Sequence, residues 1–289
     1  MMPFRRTPNA DAAYDAVATR SAGVVIDAYS TSFGWACRLL GPSVRDDVRA
    51  VYALVRVADE IVDDVEADLT AAQRESLLTE LEQQVADATK SGRSSNLVVH
   101  AFARTARRYG IGAVLVDPFF ASMRTDLTAT DHDDASFARY VHGSAEVVGL
   151  MCLRVFVAGD DDAYARLAPG AARLGAAFQK VNFLRDLRED HDVRGRSNFP
   201  GLDVDAFDDG RRDLLLDDID ADLTAAAAVV GDLPRSSRVA VRAAHDLFAE
   251  LSRRLRTTPA AELRSSRVRV PDAVKARLVL GALVREGVR

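Results

Sequence analysis

The sequence predicts an all-α protein. Helix formers dominate it, above all Ala, Leu, Arg, Asp and Glu. Strand signals are scarce, with no clear β-hairpin and no regular series of short alternating runs. Turn chemistry is dense at a few places and thin between them.

Residues 1–12 are expected to form a flexible N-terminus. Helices are then predicted over Asp11–Gly34 and Ser43–Glu66, parted by Gly41-Pro42. Thr70–Lys90 follows and stops at the polar run Ser91–Ser95. Leu97–Tyr109 and Val114–Leu127 come next, before the turn residues Thr130–Asp134. Ser136–Val157 and Ala163–Glu189 are the two longest helices of the second half. Leu214–Val230 ends at Gly231–Pro234, and Ser236–Arg256 and Pro271–Glu286 complete the series. There is no internal repeat, no shift in composition and no long linker. One all-helical domain over residues 1–289 is the expectation.

The segment Asp190–Gly210 is long for a connection in a helical bundle. Such loops often serve as lids or binding segments. It carries Arg194, Arg196 and Asn198, which can reach an anionic ligand. A surface crossover accounts for its composition equally well.

Composition narrows the function classes. The 289 residues are 48% hydrophobic and 28% charged, which suits a chain with a sizeable core. The net charge of −5 speaks against a nucleic-acid partner, which would meet a basic face. Cys37 and Cys152 have no metal-site spacing and lie in apolar surroundings, so buried free thiols in a reducing compartment are expected. The first ten residues lack the apolar core of a secretory signal. The longest apolar run, Val147–Ala158, is interrupted by Arg154 and is too short to span a bilayer.

The chemistry is written in two helical stripes. In residues 50–65, Tyr52, Arg56, Asp59 and Asp63 step by four, three and four, so they share one face of a helix. Most of the remaining circumference is Val, Leu, Ile and Ala. A helix that is apolar on most sides is normally buried, so its polar stripe lines a cavity better than it serves as a solvated face. In residues 175–190, Gln179, Asn182, Asp186 and Asp190 step by three, four and four, with Phe178, Val181, Phe183, Leu184 and Leu187 around them.

Alone, an i, i+4 pair of acids on a helix is usually surface decoration. Two stripes of matched phase on two mostly apolar helices are harder to dismiss. If they face each other, at least four carboxylates converge and repel. A hard divalent cation relieves that repulsion, and oxygen-only ligands suit Mg²⁺ better than zinc. Magnesium keeps waters and is completed by substrate phosphates, so the pattern predicts a phosphate or diphosphate substrate. A di-iron bundle would need Glu-x-x-His, and none of His100, His132, His142, His191 and His245 follows a Glu by three. There is no phosphate-binding G-x-x-x-x-G-K-[ST] loop, no dinucleotide fingerprint and no G-x-S-x-G elbow.

At these residues the sequence resembles the phytoene/squalene synthase family, the head-to-head isoprenyl diphosphate synthases, and within it the bacterial phytoene synthases. The resemblance runs roughly from Tyr29 to Val279. It rests on Y-S-T-S-F-G-W-A-C-R-L-L at 29–40, Y-A-L-V-R-V-A-D-E-I-V-D at 52–63, Y-V-H-G-S-A-E-V-V-G-L-M at 140–151 and F-Q-K-V-N-F-L-R-D-L-R-E-D at 178–190. The second and fourth are specific as a pair.

The resemblance implies an isoprenoid-synthase-type helical bundle around a central cavity. It implies that Asp59 and Asp63, with Asn182, Asp186 and Asp190, hold Mg²⁺ against two diphosphates, with Mn²⁺ as a substitute. Tyr52, Arg56, Gln179 and Arg185 match residues that bind or steer the diphosphate and the cationic intermediate. Arg267 resembles a late arginine that reaches a diphosphate, and Arg196 joins the substrate-binding set. Ser30, Ser32 and Phe33 match the opening motif beside the same pocket. The implied reaction joins two geranylgeranyl diphosphates through a cyclopropylcarbinyl diphosphate to phytoene. A relative using two farnesyl diphosphates is the near alternative, with NADPH only in a reductive, squalene-type member. A non-catalytic scaffold member and a terpene cyclase or chain-elongating enzyme are the alternatives of other classes; the latter usually carry D-D-x-x-D, whereas the first motif here reads D-E-I-V-D.

A cytoplasmic protein with peripheral contact at the inner membrane face, and a downstream carotenoid desaturase as partner, complete the implied picture. Four positions depart from the family pattern. His142 and Asn198 stand where tyrosines are frequent, Thr31 where lysine is, and Glu146 where glycine is.

Overall fold

The computed structural model describes residues 8–29, 32–63, 68–193 and 195–287; the side chains of residues 8–10, 32 and 33 lie outside the description. Every regular element among the described residues is helical.

The first four helices are α1 (Pro8–Tyr29), α2 (Ser32–Arg38), α3 (Pro42–Asp63) and α4 (Ala71–Ser91). The expected Asp11–Gly34 helix is thus two helices, with residues 30–31 outside the description. Residues 8–12, expected to be flexible, already belong to α1. Thr70 opens α4 with a capping box, taking the Gln73 N–H on its side chain while the Gln73 side chain accepts from the Thr70 N–H.

Next come α5 (Leu97–Tyr109) and α6 (Ala113–Thr125), then α7 (Asp134–Val141), a π-helical turn at His142–Glu146 and α8 (Val147–Phe156). The predicted Ser136–Val157 helix is therefore dislocated in its middle. The second half holds α9 (Asp161–Arg185), α10 (Leu187–Asp192), α11 (Asp209–Val230), α12 (Arg235–Thr257), the short α13 (Ala260–Leu263) and α14 (Asp272–Gly287). Asp160 and Asp208 cap α9 and α11 by accepting the N–H groups of Ala163 and Arg211.

Among the described residues the two largest apolar cores position the site. One is built mainly on α3, α4, α5, α6 and α8, around Val51, Leu54, Phe102, Phe119, Phe120 and Met151. The other joins α9, α11, α12 and residues 199–207, around Val181, Leu184, Leu216, Ile219, Phe248 and Leu255. Burying such a side chain contributes roughly 1.5–3 kcal/mol, so these contacts fix where α3 and α9 stand. Behind α9, the buried Lys180 ammonium donates to Asp218 (2.5 Å) and Asp222 (2.8 Å), and Arg173 donates to Asp222 (2.7 Å). This ties the helix of the second stripe to α11. Among the described residues no helix is long and apolar enough to cross a membrane.

Candidate active site

The two polar stripes face one another across one cavity. Its volume is about 370 Å³, and Tyr52, Arg56, Asp59 and Asp63 of α3 line it. Gln179, Asn182, Arg185, Asp186 and Asp190 line it from the other side, joined by Arg196 and Arg267. The convergence expected from the spacing is therefore present. Ser30 lies outside the described residues, as do the side chains of Ser32 and Phe33, and Arg194 falls outside as well.

The second stripe is not one uninterrupted helix, as its spacing had suggested. Asp186 sits at φ −101° and ψ 12°, where α9 ends and α10 begins. This is the sparsely populated bridge region where active-site residues are often found. The Asp186 N–H still donates to the Asn182 carbonyl (2.8 Å), and the Asp190 N–H to the Asp186 carbonyl (2.9 Å). The bend thus keeps both ends of the stripe in the cavity.

A second cavity of about 260 Å³ adjoins the first and is walled almost wholly by apolar groups of α2, α3, α8, α9, α11 and α12. Tyr52, Val55, Ser144, Gln179 and Asn182 line both. Cys37 and Cys152 are free and stand in the apolar wall, the first buried and the second half-buried. Desolvation pushes them up to about 11 and about 12, so both are neutral thiols.

The carboxylates of the polar cavity are held by cations of the chain. Arg56 donates to Asp59 (2.7 Å) and pairs with Glu60. Arg196 bridges Asp63 (3.1 Å) and Asp126 (3.5 Å), and also donates to the Asp126 carbonyl (2.5 Å). Arg185 and Arg267 both pair with Asp186, the latter at 2.7 Å. Asn198, in the long loop, donates to Asp190 (2.7 Å). A turn at Gly195 (φ 64°) brings the Arg196 N–H back onto the Asp190 carbonyl at 2.8 Å. That loop is therefore part of the site rather than a plain crossover.

Asp59, Asp63, Asp126, Asp186, Glu189 and Asp190 face Arg56, Arg185, Arg196 and Arg267, so acids outnumber arginines in the lining. Among the described residues no three His, Cys, Asp or Glu side chains form a ready-made metal cage. A donor set of oxygens alone, spread over two walls, fits magnesium, which takes one or two carboxylates and completes its shell with water and substrate phosphate. It suits zinc less well, because zinc sites draw mainly on His nitrogen and Cys sulfur.

A model of the squalene/phytoene synthase family matches residues 26–273. The chain belongs to the squalene/phytoene synthase family. It is 30% identical to a 15-cis-phytoene synthase of Paracoccus sp. over 178 residues, which cover 60% of this chain and 56% of that protein. It is 29% identical to a 4,4'-diapophytoene synthase of Staphylococcus haemolyticus over 202 residues, covering 65% and 66% of the two chains. Against several of the curated phytoene synthases the matched region is little more than half of their length. The all-α fold is shared with a dehydrosqualene synthase solved with a ligand (TM-score 0.78, 18% identity, 95% of this chain and 98% of that one). It is shared too with a squalene synthase from Alicyclobacillus acidocaldarius (TM-score 0.71, 17% identity, 84% and 94%).

In this member of the family, the cavity lining includes residues that sequence reasoning missed: Asp126, Tyr140, Ser144 and Glu189. Asp126 ends α6 with no acidic partner at helical spacing, so nothing periodic marked it. The Tyr140 hydroxyl donates to Asp126 (2.7 Å). Burial pushes the Asp126 carboxyl up to about 7, against the pull of Arg196 and the Tyr140 hydrogen bond and with a push from Asp63 and Asp59. Tyr140 is itself held well above its usual range, first by burial and then by Asp126.

A carboxyl that keeps its proton longer in the folded chain makes stability fall as pH rises, here between about 4 and about 7. Asp126→Asn removes that loss. In denaturant melts with chelator present, the variant should gain roughly 2 kcal/mol relative to wild type on going from pH 5 to pH 8. An unchanged difference at the two pH values would refute it.

Two of the four family departures are coupled. His142 Nδ1 and Glu146 Oε2 lie 2.9 Å apart at the two ends of the π turn, and neither side chain lines either cavity.

Proposed function

We propose that this chain is a magnesium-dependent prenyltransferase that joins two geranylgeranyl diphosphates head to head, through a cyclopropylcarbinyl diphosphate, to phytoene. The observation that carries the reading is the junction of the two cavities. An acidic and arginine-rich chamber suits a diphosphate with its cations, and the adjoining apolar chamber suits its hydrocarbon chain.

Asp59, Asp63, Asn182, Asp186 and Asp190 would hold the magnesium. Bound there with the diphosphate, it would neutralise the charge that develops on the leaving group. Arg56, Arg185, Arg196 and Arg267 now neutralise carboxylates and stand where a diphosphate would take over as their partner. Tyr52 and Gln179, at the junction, would flank the carbon that becomes cationic. The apolar walls would keep water from that cation. Condensation of two farnesyl diphosphates is the second reading, favoured by the match to the staphylococcal 4,4'-diapophytoene synthase over 202 residues.

Incubation with geranylgeranyl or farnesyl diphosphate and Mg²⁺, with and without NADPH, separates the two. Phytoene from the C20 substrate is the expected result. A product from the C15 substrate alone would overturn the C20 reading, and no turnover of either would overturn the enzyme reading.

A further inference from the structure

Resting on the proposed function, we infer that Ser144 is a further catalytic residue, whose hydroxyl donates a hydrogen bond to the diphosphate oxygen that leaves C1 of the prenyl chain. The head of such a substrate is an anion and its tail a hydrocarbon. The C1–O bond between them belongs at the seam of the polar and apolar chambers. Ser144 is one of the five residues that line both.

Its Oγ is buried and has no hydrogen-bond partner. A serine within a helix usually falls back on the carbonyl four residues earlier. Here that is the Tyr140 carbonyl, which accepts from the Ser122 hydroxyl instead (3.2 Å). The backbone around Ser144 is dislocated as well. The turn His142–Glu146 is π-helical, and the Val147 N–H donates to the His142 carbonyl five residues back. Turns of this kind occur often at functional sites.

The dislocation is wedged from two sides. A Cβ on Gly143 would overlap the Pro118 carbonyl oxygen and the Ser122 hydroxyl of α6. A Cβ on Gly175 of α9 would lie 2.5 Å from the Ala145 carbonyl oxygen. Ser144 is thus fixed at the seam with its donor uncommitted. An uncommitted buried hydroxyl costs stability unless something completes it, so such a group calls for a ligand.

The step itself balances simply. The C1–O bond breaks, its electron pair stays on the diphosphate oxygen, and C1 becomes the allylic cation. Ser144 keeps its proton and stabilises the growing negative charge through the hydrogen bond.

Ser144→Ala and Ser144→Thr in the full chain test the assignment, with geranylgeranyl and farnesyl diphosphate and Mg²⁺ as probes. Without ligand, Ser144→Ala should melt at the wild-type temperature or above it, because it deletes an unpaired buried hydroxyl. Its kcat should fall about 10- to 100-fold while KM changes less than about threefold. Ser144→Thr, which keeps the donor, should stay within about fivefold of wild type. Wild-type kcat in Ser144→Ala, or equal losses in both variants, would overturn the role of the hydroxyl. So would a clearly lower melting temperature for Ser144→Ala. If wild type consumes neither substrate, the proposed function falls and takes this assignment with it. If wild type turns over and Ser144→Ala matches it, only this assignment falls.

Discussion

Asp59→Asn and Asp186→Asn are each expected to lower kcat by about 100- to 1,000-fold, the usual scale for removing one preorganised electrostatic contact at a developing charge. Together they should abolish turnover. The two residues come from opposite walls of one cavity, Asp59 from α3 and Asp186 from the bend between α9 and α10. Each substitution removes a negative charge that a divalent cation would need; the first leaves Arg56 paired with Glu60, and the second releases Arg185 and Arg267 from the carboxylate they share. Stability should not fall with activity. Removing one carboxylate relieves like-charge repulsion in an acid-rich lining and at the same time breaks an arginine pair, so the melting temperature should change little. Steady-state rates at saturating Mg²⁺ and thermal melts of the same preparations read both effects. Wild-type rates in both single variants would show that the stripes are not the reacting site.

Gly143→Ala is expected to be the most damaging single methyl that can be added near the site. Gly143 lies in the π turn, packed on the backbone of α6. The added Cβ would overlap the Pro118 carbonyl oxygen and come within 2.9 Å of its carbon. Neither is the end of a flexible side chain, so the helices must move apart. Overpacking of this kind costs typically 1–3 kcal/mol, and a backbone-on-backbone clash belongs at the top, about 3 kcal/mol. For a chain of this size that is a drop of roughly 5 °C in melting temperature. Gly231→Ala is the control. Gly231 has helical dihedrals and open space where its Cβ would go, so that variant should be neutral or slightly stabilised. If both variants melt alike, the close packing of the π turn on α6 is not what holds this region.

The contrast between Asp59 and Asp126 shows what was legible in the chain. Asp59 belongs to a four-residue stripe at helical spacing on an apolar helix, a pattern that needs only the helical period to read. Asp126 stands at the end of α6, and its role depends on Arg196, seventy residues later, and on Tyr140. Local spacing carries no trace of such a pairing. The same limit hid Ser144, a small residue in the middle of a predicted helix. Its importance comes from the π turn, and from a Tyr140 carbonyl already taken by Ser122 of another helix. The loop after the second stripe was undecided for a related reason. Whether Arg196 and Asn198 reach an anion or hang in solvent depends on the turn at Gly195, which aims them at Asp63 and Asp190.

By itself the sequence determined the all-α class and the two carboxylate stripes. These follow from residue type and a period of 3.6, properties of each segment alone. Only the tertiary structure decided that the stripes share one cavity, that an apolar chamber opens from it, and that the second stripe bends at Asp186. Those facts arise where helices distant in sequence pack together. The position of α3 relative to α9 is set through α8 and the π turn: α8 shares an apolar core with α3, and both pack backbone to backbone on α9, contacts that no single segment contains.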